Sequence, residues 1–288
     1  MPLPDDLSMR TATLDDLPAI VDLRLRVALA AHDWALRLAI EPPNARCFLV
    51  EDGPGRLVAV GSGVAYAPLG FVGNMMVAED RRRQGIGSAV LDAVAQFLHE
   101  QRCTRLELFA TQQGRPLYAR HGFTPTEPGS RAHLRRDLPL PSRSDDIVVI
   151  DGEERALETL VDFDTPRFGG QRTPLLAAML ADRERPTLVA KREEIVVGFG
   201  WLRVDEDRIG PWVTDEPAIA AAILAEAFRR VPDHPELTAN IPISNRRAVE
   251  WLRGLGVEPD PWDGRMARGA PIPRREESIY GSTAGALG

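Results

Sequence analysis

The chain has 288 residues, 44% of them hydrophobic, and a formal net charge of -7, which is material for a filled core and, at ordinary domain size, for about two domains. No apolar run reaches the ~18 residues of a membrane span, and the start, MPLPDDLSMR, lacks the basic-then-apolar layout of a secretion signal, so a cytoplasmic protein without a membrane partner is expected. Its cations are almost all arginine, Lys191 being the single lysine, and they form no broad basic face, which argues against nucleic acid as a partner.

In chain order, the pattern predicts a strand at residues 9–13, amphipathic helices over 14–30 and 32–40, and strands at 46–51, 57–66 and 71–77. A helix over 87–101, a strand at 105–110, a short helix around Tyr118 and a closing pair of strands ending at 136 follow. Cys47 and Cys103 both lie inside apolar runs and read as buried free thiols rather than a disulfide. The five histidines do not cluster with ligand spacing, so no metal is expected.

Prolines, serines and charges in DLPLPSRSDD, residues 137–146, interrupt all periodicity and mark a boundary between a domain over 1–140 and another over 145–288. Residues 1–140 carry 16 basic and 16 acidic groups and the remainder 19 and 26, so the whole charge imbalance lies in the second half. Past the boundary the order recurs: a strand at 147–150, helices over 153–163 and 173–182, strands at 187–191, 195–204 and 208–213, a helix over 216–230, a strand at 236–243, a helix over 245–255 and a last strand near Arg265. GRLVAVGSGVAY corresponds to EEIVVGFGWLRV, and PLYARHGF to EWLRGLGV. An internal duplication with a long period explains both, with a shared strand-helix alternation as the alternative.

The stretch VAEDRRRQGIGSAVLDAVAQFL, residues 77–98, concentrates positive charge and two glycines where a strand enters a helix. A helix start presents unpaired N–H groups and a partial positive charge, and glycines let an anion approach them closely. Arg82, Arg83 and Gln84 add donors at the same spot, so Arg82–Ser88 reads as a diphosphate cradle, against the plainer reading of a glycine turn capped by solvated arginines. A Walker loop would need lysine and then serine or threonine after its glycines; a dinucleotide fingerprint would need a third glycine where Val90 stands.

Strand, Val77, Arg82-x-x-Gly85-x-Gly87 and a long amphipathic helix resemble the acetyl-coenzyme A signature of the GNAT N-acetyltransferases, Gln/Arg-x-x-Gly-x-Gly/Ala. LELFATQQGRPLYARHGF, residues 106–123, resembles that family's strand, helix and Tyr-x-x-x-Gly-Phe segment; it departs at Thr111 and Gly114, where asparagine and alanine are usual. Residues 8–137 carry the resemblance clearly, and the second half resembles the second lobe of tandem members through NIPISNRRAVEWLRGLG and GRMARG. The resemblance implies an α/β (α+β) fold of two tandem lobes, each a mixed, mostly antiparallel sheet flanked by helices, with a splayed strand pair for acetyl-CoA in the first.

The resemblance further implies that the cofactor arm pairs with backbone groups of Met75, Met76 and Val77, and that the diphosphate sits on amides of Arg83, Gln84, Gly85, Ile86, Gly87 and Ser88. A neutral amine, expected on a small molecule, would attack the thioester, with a backbone N–H near Met76 or Val77 facing the oxyanion. Tyr118 would return a proton to the departing thiolate. For the general base, Glu107, Glu51 and a water relay remain open, and His32 and Trp34 are acceptor-pocket candidates. His121 reads as a helix-end residue bonding to carbonyls.

In the second half, TDEPAIAAAIL places Asp215 and Glu216 where the first has its basic cradle, and Leu252 falls at the position of Tyr118, so catalysis is expected in the first lobe alone. Trp201, Trp212 and Trp251 read as core filling or as pocket walls. DFDTPRFGGQRTPLL, residues 162–176, reads as a loop able to reach the acceptor or as ordinary capping, and the tail end IYGSTAGALG is expected to dock as a strand. A silent acyl-CoA-binding regulatory module is the competing function.

Overall fold

In a computed structural model, residues 3–27, 32–53, 55–142, 144–283 and 285–288 are described. Two units emerge, one of residues 1–125, 266–272 and 284–288, the other of residues 126–265 and 273–283.

The sheet of the first unit contains β1 (Leu7–Thr11), β2 (Ala45–Asp52), β3 (Arg56–Tyr66), β4 (Leu69–Val77) and β5 (Arg105–Phe109), side by side in chain order. Between β1 and β2 the chain forms α1 (Leu17–Arg26) and α2 (Asp33–Leu38); the end of the helix expected over 14–30 includes residues 28–31, outside the described residues. The first four strands pair antiparallel, whereas β4 and β5 run parallel. A parallel pair needs a crossover, and α3 (Ile86–Glu100) provides it, followed after β5 by α4 (Arg115–Arg120). Ile86, Val90, Leu91, Val94, Phe97 and Leu98 recur at helical spacing and are all buried, which fixes the face α3 turns to the sheet. The Gly-Ser-Gly of β3 makes room for that face: a Cβ on Gly61 would lie 2.4 Å from Val90 Cγ1, and one on Gly63 3.0 Å from Leu98 Cγ.

The second unit repeats the order. It holds β6 (Thr124–Arg135) from residue 126, β7 (Ile147–Asp151), β8 (Thr187–Arg192), β9 (Ile195–Arg203), β10 (Arg208–Thr214), β11 (Glu236–Pro242), β12 (Asp260–Arg268) up to residue 265, and β13 (Ile279–Gly281). Its sheet runs β6-β11-β10-β9-β8-β7 and is antiparallel except between β10 and β11. The helices are α5 (Leu157–Phe168), α6 (Thr173–Ala181), α7 (Pro217–Arg230) and α8 (Arg246–Gly254).

Several expectations change. The pair of strands expected to end at 136 is the single strand β6, which from residue 126 belongs to the second unit and pairs along β11 from Gly129–Pro242 to Arg135–Glu236. In the first unit, Met266–Arg268 of β12 lie beside β5 in the strand order, and Arg105 Nη1 donates to the Gly269 carbonyl at 2.7 Å. Residues 162–176 are not a loop but the end of α5, a turn at Gly169 and the start of α6. Cys47 and Cys103 are free and buried, and desolvation pushes their thiols up to about 12 and about 11. Among the described residues no helix is long and apolar enough to cross a membrane.

Candidate active site

The first unit's opening begins where the β4–β5 register stops. Three pairs join the strands, Leu69 with Arg105, Gly70 with Leu106 and Phe71 with Glu107, and the register ends there. Against β3 the register shifts between Val60 and Ser62, and Asn74 takes φ 54°, a bulge that bends β4 at this point. Asn74 Nδ2 donates to Ser62 Oγ at 2.9 Å, and Arg24 Nη1 of α1 donates to Asn74 Oδ1 at 2.7 Å. Sequence reasoning missed these three residues, because a bulge leaves no mark on hydrophobic periodicity. Met75, Met76 and Val77 follow the bulge, with Met76 opposite Val60 and Val77 opposite Ala59.

The stretch read as a cradle lies directly beyond. Arg83 and Gly85 both have left-handed backbones, at φ 63° and 82°, and Gly85 caps α3, accepting from the Ser88 N–H at 3.0 Å. Glycine is the residue that adopts this conformation without steric cost. A Cβ on Gly87 would stand 3.4 Å from Leu117 Cδ2 of α4 and 3.6 Å from Val77 Cγ2, so the first turn of α3 is wedged between the end of β4 and α4. Arg82 turns back, its Nε donating to the Val77 carbonyl at 3.1 Å and its Nη1 lying 3.3 Å from Glu79. Arg83 and Gln84 are exposed, whereas the Ile86 side chain is in the core and leaves only its backbone to the cradle. His121 ends α4, but its ring bonds to Ser88 Oγ at 3.2 Å and to Asp92 at 3.1 Å rather than to carbonyls.

Tyr118 sits on α4 against Phe123, ring centroids 6.1 Å apart, and burial pushes its phenol up to about 12. The departures from the usual pattern have local causes. Thr111 Oγ1 accepts from the Gly114 N–H at 3.2 Å at the start of α4, and an alanine Cβ at Gly114 would press on Tyr118 Cε2 at 3.0 Å. Glu107 is fully buried at the last β4–β5 pair and accepts from Arg105 Nε at 3.1 Å. Glu51 stands two strands from β4, bound to Arg10, which also holds Asp16; the structure does not bring it to the opening. His32 precedes α2, its carbonyl accepting from Ala35 and Leu36, and Trp34 is half-buried in that helix's first turn.

Family models described as acetyltransferase (GNAT) domains match residues 43–125 and 160–281. The chain belongs to the GNAT acetyltransferases. An uncharacterized N-acetyltransferase, YitH, of Bacillus subtilis is 23% identical over 192 residues, 66% of this chain and 66% of that one. The crystal structure of a putative acetyltransferase from Pyrococcus horikoshii superposes with a TM-score of 0.83 at 23% identity, over 100% of this chain and 98% of that one. A tandem GNAT protein from the clavulanic acid biosynthesis pathway superposes at 0.64 with 16% identity, over 92% and 99%. At these identities the two structures speak for the fold.

The second GNAT unit repeats the frame and changes the chemistry. Phe123 N–H donates to the Tyr118 carbonyl at 3.0 Å and Val257 N–H to the Leu252 carbonyl at 2.9 Å; Gly122 and Gly256 have φ 80° and 81°. Leu252 therefore occupies the place of Tyr118, fully buried in the unit's core. At the start of α7, Asp215 is bound by Arg167 and by Ser278 Oγ at 2.6 Å, and Glu216 by Arg192 at 3.0 Å. Burial alone would raise the Asp215 carboxyl, yet these hydrogen bonds hold it below its usual range.

β10 and β11 share one register pair, Arg208 with Thr238, and then receive β13 between them. Trp212 pairs with Gly281 and Val213 with Ile279; Ser282 N–H donates to the Asn240 carbonyl at 2.8 Å. A Cβ on Gly281 would meet the Ile209 carbonyl at 3.1 Å and Trp212 Cβ at 3.3 Å, so only a bare backbone fits. Of the tail end expected to dock as a strand, Ile279–Gly281 does so, whereas residues 282–283 and 285–288 do not continue it. Trp201 and Trp212 are buried core residues, the former donating to the Arg185 carbonyl at 2.8 Å, and Trp251 packs edge-on against Trp212.

Proposed function

We propose that the first unit transfers an acetyl group from acetyl-CoA to a primary amine of a small molecule, and that the second unit is not catalytic. What carries the reading is a meeting at one strand end: β4 past its register with β5, the start of α3 wedged against Val77, and α4 with Tyr118 beside Leu117. The cradle suits a diphosphate, since two left-handed residues and a missing side chain expose backbone at the positive end of a 15-residue helix. Acetyl-CoA bound there supplies an acyl carbon activated by sulfur; the net transfer breaks the C–S bond, forms a C–N bond and moves one proton from nitrogen to sulfur.

Amides of Gly85, Ile86 and Gly87 hold the anion in this reading, the Ser88 N–H expected beside them being taken by the Gly85 carbonyl, and exposed Arg83 and Gln84 add donors. Arg82 steadies the end of β4 through the Val77 carbonyl. Backbone groups of Met75, Met76 and Val77 orient an extended chain along the open edge, and a backbone N–H there faces the charge that develops on the acyl oxygen. Tyr118 holds its proton at Oη throughout the neutral range, because burial keeps the phenol neutral, and it is the donor to sulfur. Glu107, at the last β4–β5 pair, takes the amine proton directly or through water, whereas Glu51, two strands from β4, has no part. In the second unit Leu252 has no proton to give, and β13 fills the splay.

Tyr118→Phe should lower kcat at least tenfold, within the range of general acids, and leave the Kd for acetyl-CoA within twofold. An unchanged rate removes Tyr118 as the acid. Should the unaltered protein release thiol with no amine of any class while binding acetyl-CoA, the silent regulatory module replaces the enzyme.

A further inference from the structure

Residues 285–288 belong to the first unit and lie where β4 and β5 part. An ideal Cβ on Gly73 would fall 2.3 Å from Ala286 Cβ and 2.6 Å from Ala286 Cα, so the segment rests directly on the strand backbone. On the other strand, a Cβ on Gly285 would meet Phe109 Cβ and Cδ2 at 3.7 Å. Leu287 is fully buried. The segment therefore bridges β4 and β5 beyond their last register pair.

Its face follows from strand alternation. Gly61 and Gly63 look toward α3, so Ser62 looks away, and Gly73, directly opposite Ser62, looks away with it. Val72 lies opposite Gly63 and Gly70 opposite Ala65, which puts Leu106, beside Gly70, on the α3 side and Glu107 and Phe109 on the far side. Residues 285–288 thus cover the face opposite α3, the side left to an amine when the cradle at the start of α3 holds the acyl donor.

Thr283 is the last residue of the second unit. Thr283 is fully buried and its Oγ1 accepts from Arg172 Nη1 at 3.1 Å; Arg172 is in turn bidentate to buried Asp164 at 2.8 and 2.6 Å. The Gly-Ala-Leu-Gly stretch carries no charged side chain and no side chain larger than leucine.

We propose that residues 285–288 form a wall of the acceptor pocket and make the enzyme selective for slender amines over bulky ones. This rests on the acetyl-transfer reading of the first unit. The intact chain is compared with a chain ending at Thr283, and with Gly73→Ala, whose added Cβ evicts Ala286 while the segment remains. Thiol release is followed with n-propylamine and with a lysine-containing octapeptide as acceptors. The ratio of kcat/KM for octapeptide to propylamine should rise at least tenfold in both variants, and an unchanged ratio in active enzymes overturns the proposal.

Coverage is read without catalysis by labelling a Phe109→Cys protein with a maleimide, the native thiols being buried. Truncation at Thr283 should speed labelling at least tenfold; equal rates overturn the placement of the wall whatever the enzyme does. No thiol release by the intact chain with any class of amine overturns the reading of the site, and the acceptor role of the wall with it.

Discussion

Tyr118, Cys47 and Cys103 share one physical condition: burial disfavours their charged forms, so all three keep their protons to higher pH than in an unfolded chain. For Tyr118, in the proposed transfer, the consequence falls on the acid step. With its phenol near 12, kcat should stay flat up to pH 10 instead of falling as an exposed tyrosine ionises, and a descending limb below pH 10 that vanishes in Tyr118→Phe would contradict the assignment. For the thiols the consequence is stability. A folded pKa above the unfolded one gives stability that is complete below the unfolded value and is lost as pH rises through the folded one. The urea midpoint should therefore fall from pH 8 to pH 10.5, Cys47 contributing about 2 kcal/mol; a midpoint independent of pH in that window would show that the thiols are not sealed. At this scale Arg82, Arg83, Gly85, Gly87 and Tyr118 drew attention because each is a distinctive residue type at a fixed spacing, and the structure puts them at the start of α3 and on α4. Arg24, Asn74 and Ser62 were not, since their meeting depends on a bulge. Glu51 drew attention by its place at a strand end, which says nothing about the neighbour that binds it.

Element by element, most of what sequence periodicity predicts is present, and the differences have causes. Helix α5 continues through Pro166 to Gly169, whose φ of 91° ends it, where the pattern suggested a stop at 163. At the head of α3, Gly87 tests how the cradle works. A single methyl group would sit at ordinary van der Waals distance from Leu117 and Val77, so Gly87→Ala should fold with a melting temperature near that of the parent, whereas Gly87→Val should lose acetyl-CoA affinity at least a hundredfold. Calorimetry and thermal melts on the two proteins decide this, and equal affinity in both would remove the close approach of an anion. In the second unit, the element that matters is the root of the tail. Asp164→Ala leaves the Arg172 charge buried without its carboxylate, and the loss, about 3–5 kcal/mol by urea unfolding, should dwarf that of a surface pair. A cost below 1 kcal/mol would mean that water reaches Arg172 freely.

Across the whole chain, a repeated frame was visible in the recurring order of strands and helices, and the similarity of the two frames appears in the matched hydrogen bonds at Tyr118 and Leu252. The segments the first unit draws from the far end of the chain were not visible. Local patterns specify that residues 260–268 form a strand but not which strand they lie beside, and proline-rich DLPLPSRSDD marks a break in periodicity rather than the edge of a packed unit. The consequence for function is one of number. Two GNAT units share a frame, but in the second the splay is taken by Ile279–Gly281 and the helix start carries bound carboxylates. Titration of the full chain with acetyl-CoA by calorimetry, with Gly87→Val alongside, tests this directly. One site per chain, abolished by Gly87→Val, is the predicted result; two sites, or a single site indifferent to that substitution, would contradict it.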